Sequence, residues 1–236
     1  NGAGHISVME NMIMERMCGR FVLFTSGDDL VQEVAGLPGI AEVQAPDGTP
    51  PPRYNIAPTQ QVPLIRVADA TARIDAARWG LLPTWKKDET GPALFNARGE
   101  TVAEKPSFRS AFKARRGLMV LDGYYEWKPT ENGKQPYFVR PKEGMLYAAA
   151  LWETGLDRLS TTMVTTEAAE NMAWLHHRLP LFLRADEIRT WIDGTPEEAL
   201  RLVHPSRVAD TLVWNEAAQE VGNIRNDYTE LMGKAD

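Results

Sequence analysis

The 236-residue chain carries 32 acidic against 26 basic side chains, a formal charge of −6, which excludes a wholesale basic surface and confines any nucleic-acid contact to a local groove. Its single cysteine excludes an intramolecular disulfide, and no apolar run approaches the ~18 residues of a membrane span. No stretch joins a basic start, an apolar run and a small-residue cleavage site, so the cytoplasm is the expected location; without a long heptad or apolar stripe, a monomer is the expected state.

In chain order, residues 1–16, "NGAGHISVMENMIMER", read apart from the rest: a Gly-rich start, then Met9, Met12 and Met14 ahead of Met17. The expectation is an appended or upstream extension, with Met17 as the start of a single domain over 17–236; a genuine extension is the competing reading. "CGRFVLFT" predicts a strand, and "SGDDLVQEVAGLPG" a helix with Ser26 as N-cap and a glycine stop. "PDGTPPPRYNIAPTQ" is proline-rich and predicts a rigid loop. "QVPLIRV" and "ARIDAARWGLL" predict a strand pair, and "SFRSAFKARRG" a helix capped by Ser107 and stopped at Gly117. "GLMVLDGYYEWK", "QPYFVRP" and "MLYAAALWE" predict strands. A helical stretch around 167–176, the short apolar "LPLFL", and helices in "RADEIRTWIDG" and "TPEEALRLVH" follow. Many strands at short spacing with no βαβ period predict an α+β domain, a mainly antiparallel, barrel-like twisted sheet with peripheral helices.

Five segments could carry chemistry. Cys18, in "ERMCGRF", is a nucleophile only as thiolate, and an unperturbed thiol titrates near ~8.5, so it needs a base or a positive field. Of the four histidines, His5 lies in the leader and His204 precedes Pro205, where it caps carbonyls. "LHHRLPLFL" leaves His176 and His177, of which one at most faces a given site. In "LDGYYEWK", period-2 geometry puts Tyr124, Glu126 and Lys128 on one strand face and Tyr125 and Trp127 on the other. A carboxylate among aromatic neighbours is desolvated, which raises its pKa towards neutrality; the plainer reading is an edge-strand Glu126 paired with Lys128. "FNARGETVAEKPSFRSAFKARR" gathers Asn96, Arg98, Arg109, Arg115 and Arg116, a basic concentration suited to phosphates. Trp79 and Trp85, in "RWGLLPTW", are candidate stacking platforms for unpaired bases, against the commoner fate of core tryptophans.

Taken in order, "MCGRF", "RYNIAPTQ", "RWGLLPTW", "NARGET", "LDGYYEW", "AALWE" and "HHRLPLFL" resemble the signature segments of the SOS response-associated peptidase (SRAP) family, over residues 17 to about 227. That resemblance implies a protein that binds abasic sites in single-stranded DNA, in the SOS response to DNA damage, and crosslinks to them through an amino-terminal cysteine, with no metal or cofactor and with a nucleoid-associated cytoplasmic location. Carried over residue by residue, it implies Cys18, Asn96, Glu126 and His176 as catalytic positions, Arg98 and Arg178 as phosphate contacts, and Arg20 as a further DNA contact. The α-amine of an amino-terminal Cys18 would condense with the sugar aldehyde and the thiolate would close a thiazolidine. Sixteen residues and Met17 precede Cys18 in this chain, and in that form its nitrogen is an amide. Two other readings stay open: a cysteine peptidase using Cys18, His176 and Asn96, including one that cuts its own chain to expose Cys18, and a non-catalytic single-strand binder.

Overall fold

The computed structural model describes residues 18–235; the expected extension lies outside the described residues. β-branched and aromatic residues form β1 (Phe21–Leu23), and α1 (Gly27–Ala35) follows with Ser26 at its N-cap position and Leu30 and Val34 on its buried face. Next come β2 (Glu42–Gln44), β3 (Arg53–Ile56), β4 (Gln61–Ala68), β5 (Thr71–Trp79) and β6 (Asn96–Arg98). After α2 (Arg109–Ala114) the chain forms β7 (Arg116–Leu121), β8 (Gly123–Thr130), β9 (Gly133–Pro141), β10 (Leu146–Glu153), β11 (Ser160–Glu167) and β12 (Arg178–Pro180). The helices α3 (Ala185–Asp193) and α4 (Pro196–Leu200) precede β13 (Leu212–Glu216).

These strands make two sheets. One runs β13-β9-β8-β1-β3, with every pairing antiparallel. The other runs β12-β11-β10-β7-β4-β5-β2, and a parallel contact of Ser160 and Thr161 with Arg78 and Trp79 joins β11 to β5. That contact closes β11, β10, β7, β4 and β5 into a ring, which removes the open edges those strands would otherwise present. The α+β, barrel-like architecture expected from the sequence is the one observed.

Four local expectations are corrected. The proline-rich "PDGTPPPRYNIAPTQ" holds β3, because Phe21 and Leu23 of β1 offer a partner at Ile56 and Arg53. Ser107 caps nothing: Phe108 occupies the N-cap position of α2. Gly117 lies inside β7, where an added Cβ would stand 2.7 Å from the Ile65 carbonyl oxygen. The helical stretch near 167–176 shrinks to one 3-10 turn over Glu170–Met172.

β8 positions the site. It lies between β9 and β1, so Glu126 is on an interior strand rather than an edge. Alternation sends Tyr124 into the main core and Tyr125 into a second cluster with Val22, Phe138 and Val221.

Candidate active site

Cys18 immediately precedes the first strand, and the register Phe21 to Tyr124 sets it against β8. Its backbone nitrogen donates to Glu126 Oε2 at 3.2 Å, and the Trp127 N–H donates to Oε1 at 3.1 Å. Glu126 is 4% exposed. Burial, only partly offset by the two N–H donors and the charge of Lys134, lifts its carboxyl to about 7. The Cys18 thiol is fully buried, and burial followed by the Glu126 charge pushes it well above its ordinary value. The backbone at Cys18 has φ 44°, the left-handed region that costs a non-glycine residue roughly 1 kcal/mol or more.

Two further segments converge on this pair. The Phe95 ring lies 3.6 Å from where a Gly19 Cβ would stand, so the residue before β6, next to Asn96 in sequence, abuts the residue after Cys18. β6 is held there by parallel pairing of Asn96, Ala97 and Arg98 with Met163, Val164 and Thr165. Tyr137, directly across β9 from Glu126, packs edge-on against Trp174 at 5.1 Å, and Lys128 Nζ stands 4.9 Å from the Trp174 ring. The segment carrying His176 therefore covers the Glu126 face. His176 Nδ1 accepts the Arg178 N–H at 3.1 Å, which places the imidazole proton on Nε2. Burial first, then the His177 and Arg178 charges, pull it down to about 4, so it is neutral at pH 7.

The arrangement thus joins a backbone nitrogen, a thiol and a carboxyl that titrates near neutrality. Such a carboxyl both takes and returns protons at pH 7. The family model described as SOS response associated peptidase (SRAP) matches residues 17–224, nearly the whole described chain.

The chain belongs to the SOS response-associated peptidase family.

Among relatives of this SRAP chain, the abasic site processing protein YoaM of Bacillus subtilis is 32% identical over 226 residues, spanning 92% of this chain and 97% of YoaM. The abasic site processing protein YedK of Escherichia coli is 31% identical over 225 residues, spanning 92% and 99%. A solved structure of a Bacteroides thetaiotaomicron protein superposes with a TM-score of 0.75 at 19% identity, covering 92% of this chain and all of that one. The last is a likeness of fold.

The residues expected to meet DNA separate sharply in this SRAP chain. Trp79 is fully buried, its ring edge-on to Phe21 at 5.0 Å and its Nε1 donating to the Phe95 carbonyl at 3.0 Å. It is a core residue, and the expectation of a stacking platform is corrected for it. Trp85, six residues on, is 63% exposed. Arg98 and Arg109 are exposed. Arg178 is buried and forks onto Glu100, NH1 to Oε1 and NH2 to Oε2, each at 2.8 Å, with NH2 also donating to Thr165 Oγ1 at 3.0 Å. Arg20 donates to the Val221 carbonyl at 2.5 Å and to Asn55 Oδ1 at 3.3 Å, and lies 5.7 Å from the Trp127 ring. Its charge is directed into the fold. Among the described residues no helix is long and apolar enough to cross a membrane.

Sequence reasoning missed Asn55. Its Nδ2 reaches the carbonyls of Val221, Asn223 and Asn226, tying the closing "VGNIRN" to β3. The available signal was an amide embedded in the apolar motif "RYNIAP". It missed Glu100 as a counter-ion too, because its partner Arg178 is 78 positions away.

Proposed function

We propose that this protein binds abasic sites in single-stranded DNA and crosslinks to them through Cys18 once that residue is amino-terminal. One observation carries the reading: the Cys18 nitrogen sits 3.2 Å from the Oε2 of a carboxyl lifted to about 7. With the preceding peptide bond cut, that nitrogen is an α-amine and Glu126 is its proton acceptor. The ammonium gives a proton to the Glu126 carboxylate, and the free amine adds to C1′ of the ring-opened sugar aldehyde. A proton passes from nitrogen to oxygen, Glu126 protonates the resulting hydroxyl, and water leaves an iminium. The thiol sulfur then adds to C1′, the C=N electron pair returns to nitrogen, and the thiol proton goes to Glu126. The balance is one aldehyde plus one aminothiol giving one thiazolidine and one water. His176 stays neutral throughout and serves as a hydrogen-bond partner for sugar or phosphate. Trp85, Arg98 and Arg109 are the exposed groups available to bases and phosphates. The names of YoaM and YedK as abasic site processing proteins support the substrate.

Self-cleavage ahead of Cys18 is a second reading, favoured by the strained φ of 44° at the residue following the bond to be cut. The raised thiol pKa opposes general proteolysis, since it keeps thiolate scarce at neutral pH.

The test compares protein beginning at Cys18 with the long form on an abasic single strand. The first should yield a heat-stable adduct and the second should bind without one; equal adducts from both would remove the amine from the mechanism. Cys18→Ser in the short form should still be trapped by borohydride as an imine, because trapping needs the amine and not the thiol.

A further inference from the structure

Tyr124 has no role in the chemistry above, yet its placement is anomalous. It shares the inward face of β8 with Glu126 and pairs across to Phe21, three residues beyond Cys18. The side chain is 1% exposed, with its ring held against Phe182 at a centroid distance of 5.7 Å. Among the described residues its hydroxyl has no hydrogen-bond partner. By contrast the neighbouring Tyr125 hydroxyl, on the opposite face, donates to the Tyr54 carbonyl at 2.8 Å. Folded proteins seldom leave a buried hydroxyl unpaired, because its lost hydration is uncompensated. A phenylalanine would fill the same space without that cost.

We infer that the Tyr124 hydroxyl is a catalytic hydrogen-bond donor, aimed at the C1′ oxygen of the ring-opened abasic sugar when that carbon is attacked by the Cys18 nitrogen. The inference rests on the proposed crosslinking reaction and deepens it. As the amine adds, the carbonyl oxygen takes up negative charge before a proton reaches it, and a fixed donor in a dry site stabilises that charge more than water does. At that moment Glu126 holds the proton taken from the ammonium, with Oε2 facing the Cys18 nitrogen and Oε1 the Trp127 N–H, and it gives that proton up only in the later loss of water. Tyr124 supplies a separate, fixed donor from the same face, one that does not depend on the protonation state of Glu126. It moves no proton, so the atom balance is unchanged. Burial first, then the charges of Cys18 and Glu126, raise the Tyr124 pKa, which keeps the phenol protonated over the working pH range.

The experiment uses protein that starts at Cys18, which retains every residue of the two sheets, and measures adduct formation with an abasic single strand against pH. Tyr124→Phe should lower the plateau rate by about 10²-fold, leave affinity for the strand unchanged, and raise the Tm by about 2–4 °C as an unsatisfied hydroxyl is removed. The pH midpoint should not move, because Glu126 sets it and phenylalanine keeps Glu126 buried; a merely structural Tyr124 would leave the plateau rate at the wild-type value while the Tm changed. Wild-type rates in Tyr124→Phe would overturn the inference and leave the crosslinking reading standing. Absence of any adduct in the wild type would overturn both.

Discussion

Arg178 and Glu126 are both buried, and their partners differ in kind. Arg178 is met by two oxygens of Glu100 and by the Thr165 hydroxyl. Burial pushes the Glu100 carboxyl up, but the Arg178 hydrogen bonds and the Arg178 and Arg98 charges outweigh it and hold the group below its usual range. Glu126 is met at its carboxylate by two backbone N–H groups, and burial prevails. A charge matched in geometry and sign is fixed in one protonation state and acts as structure. A charge left short of compensation changes state near neutral pH, which is the property proton transfer needs. The difference sorts two residues that sequence alone places together in one site.

The largest effect should come from removing the uncompensated charge. Glu126→Gln keeps the shape but cannot accept a proton, so adduct formation should fall by ~10²-fold or more while affinity for the strand holds. The wild-type rate should climb as pH rises through about 7, where the carboxyl ionises, and the climb should be absent in the variant. Stability gives an independent readout. The folded value of about 7 lies above the ordinary 4.5, so this contribution is fully present below about 4.5 and is lost as pH rises through about 7. Glu126→Gln should therefore gain on the wild type by on the order of 3 kcal/mol between those limits in denaturant titrations. If strand binding disappears with Glu126→Gln, the residue is structural.

Arg178→Ala should act in the opposite sense, lowering stability by about 1–2 kcal/mol, a loss softened because the Glu100 side chain is 38% exposed. The depressed Glu100 carboxyl contributes stability that is lost as pH falls through its folded value, and in this variant that acid-side loss should shrink. The salt dependence of strand binding should not change. A flattened slope would mean that the Arg178 fork releases Glu100 to grip phosphate.

Arg98→Ala should be the mildest. The side chain is exposed on β6, so stability should stay within ~0.5 kcal/mol, while the slope of log affinity against log salt should fall by roughly 0.7. An unchanged slope would place the DNA path elsewhere than along β6.

Local patterning by itself determined a good deal of this protein. The alternation in "GYYEWK" was enough to put Tyr124 and Glu126 on one face, since side chains in a strand point to opposite sides in turn. The density of short strands with no βαβ period was enough for an α+β, barrel-like sheet. The ordered motifs were enough for the family, and the lone thiol in "MCGRF" for the residue on which the chemistry is proposed. Tertiary structure alone decided the rest. "STTMVTTE" carries no clear strand pattern because its hydroxyls look solvated; in the closed ring it is β11, with Ser160, Thr161, Thr162, Thr165 and Thr166 buried and Thr161 Oγ1 donating to the Leu151 carbonyl at 2.8 Å. Trp79 and Trp85 sit in one aromatic run and are equivalent to any local rule, yet ring closure at β5 buries the first and leaves the second outside. Arg178 reads as a free cation until a chain reversal 78 residues long delivers Glu100 to it. Periodicity is a property of neighbouring residues, and the chain carries it openly; compensation of a buried charge depends on which distant atoms arrive beside it, and only the folded molecule settles that.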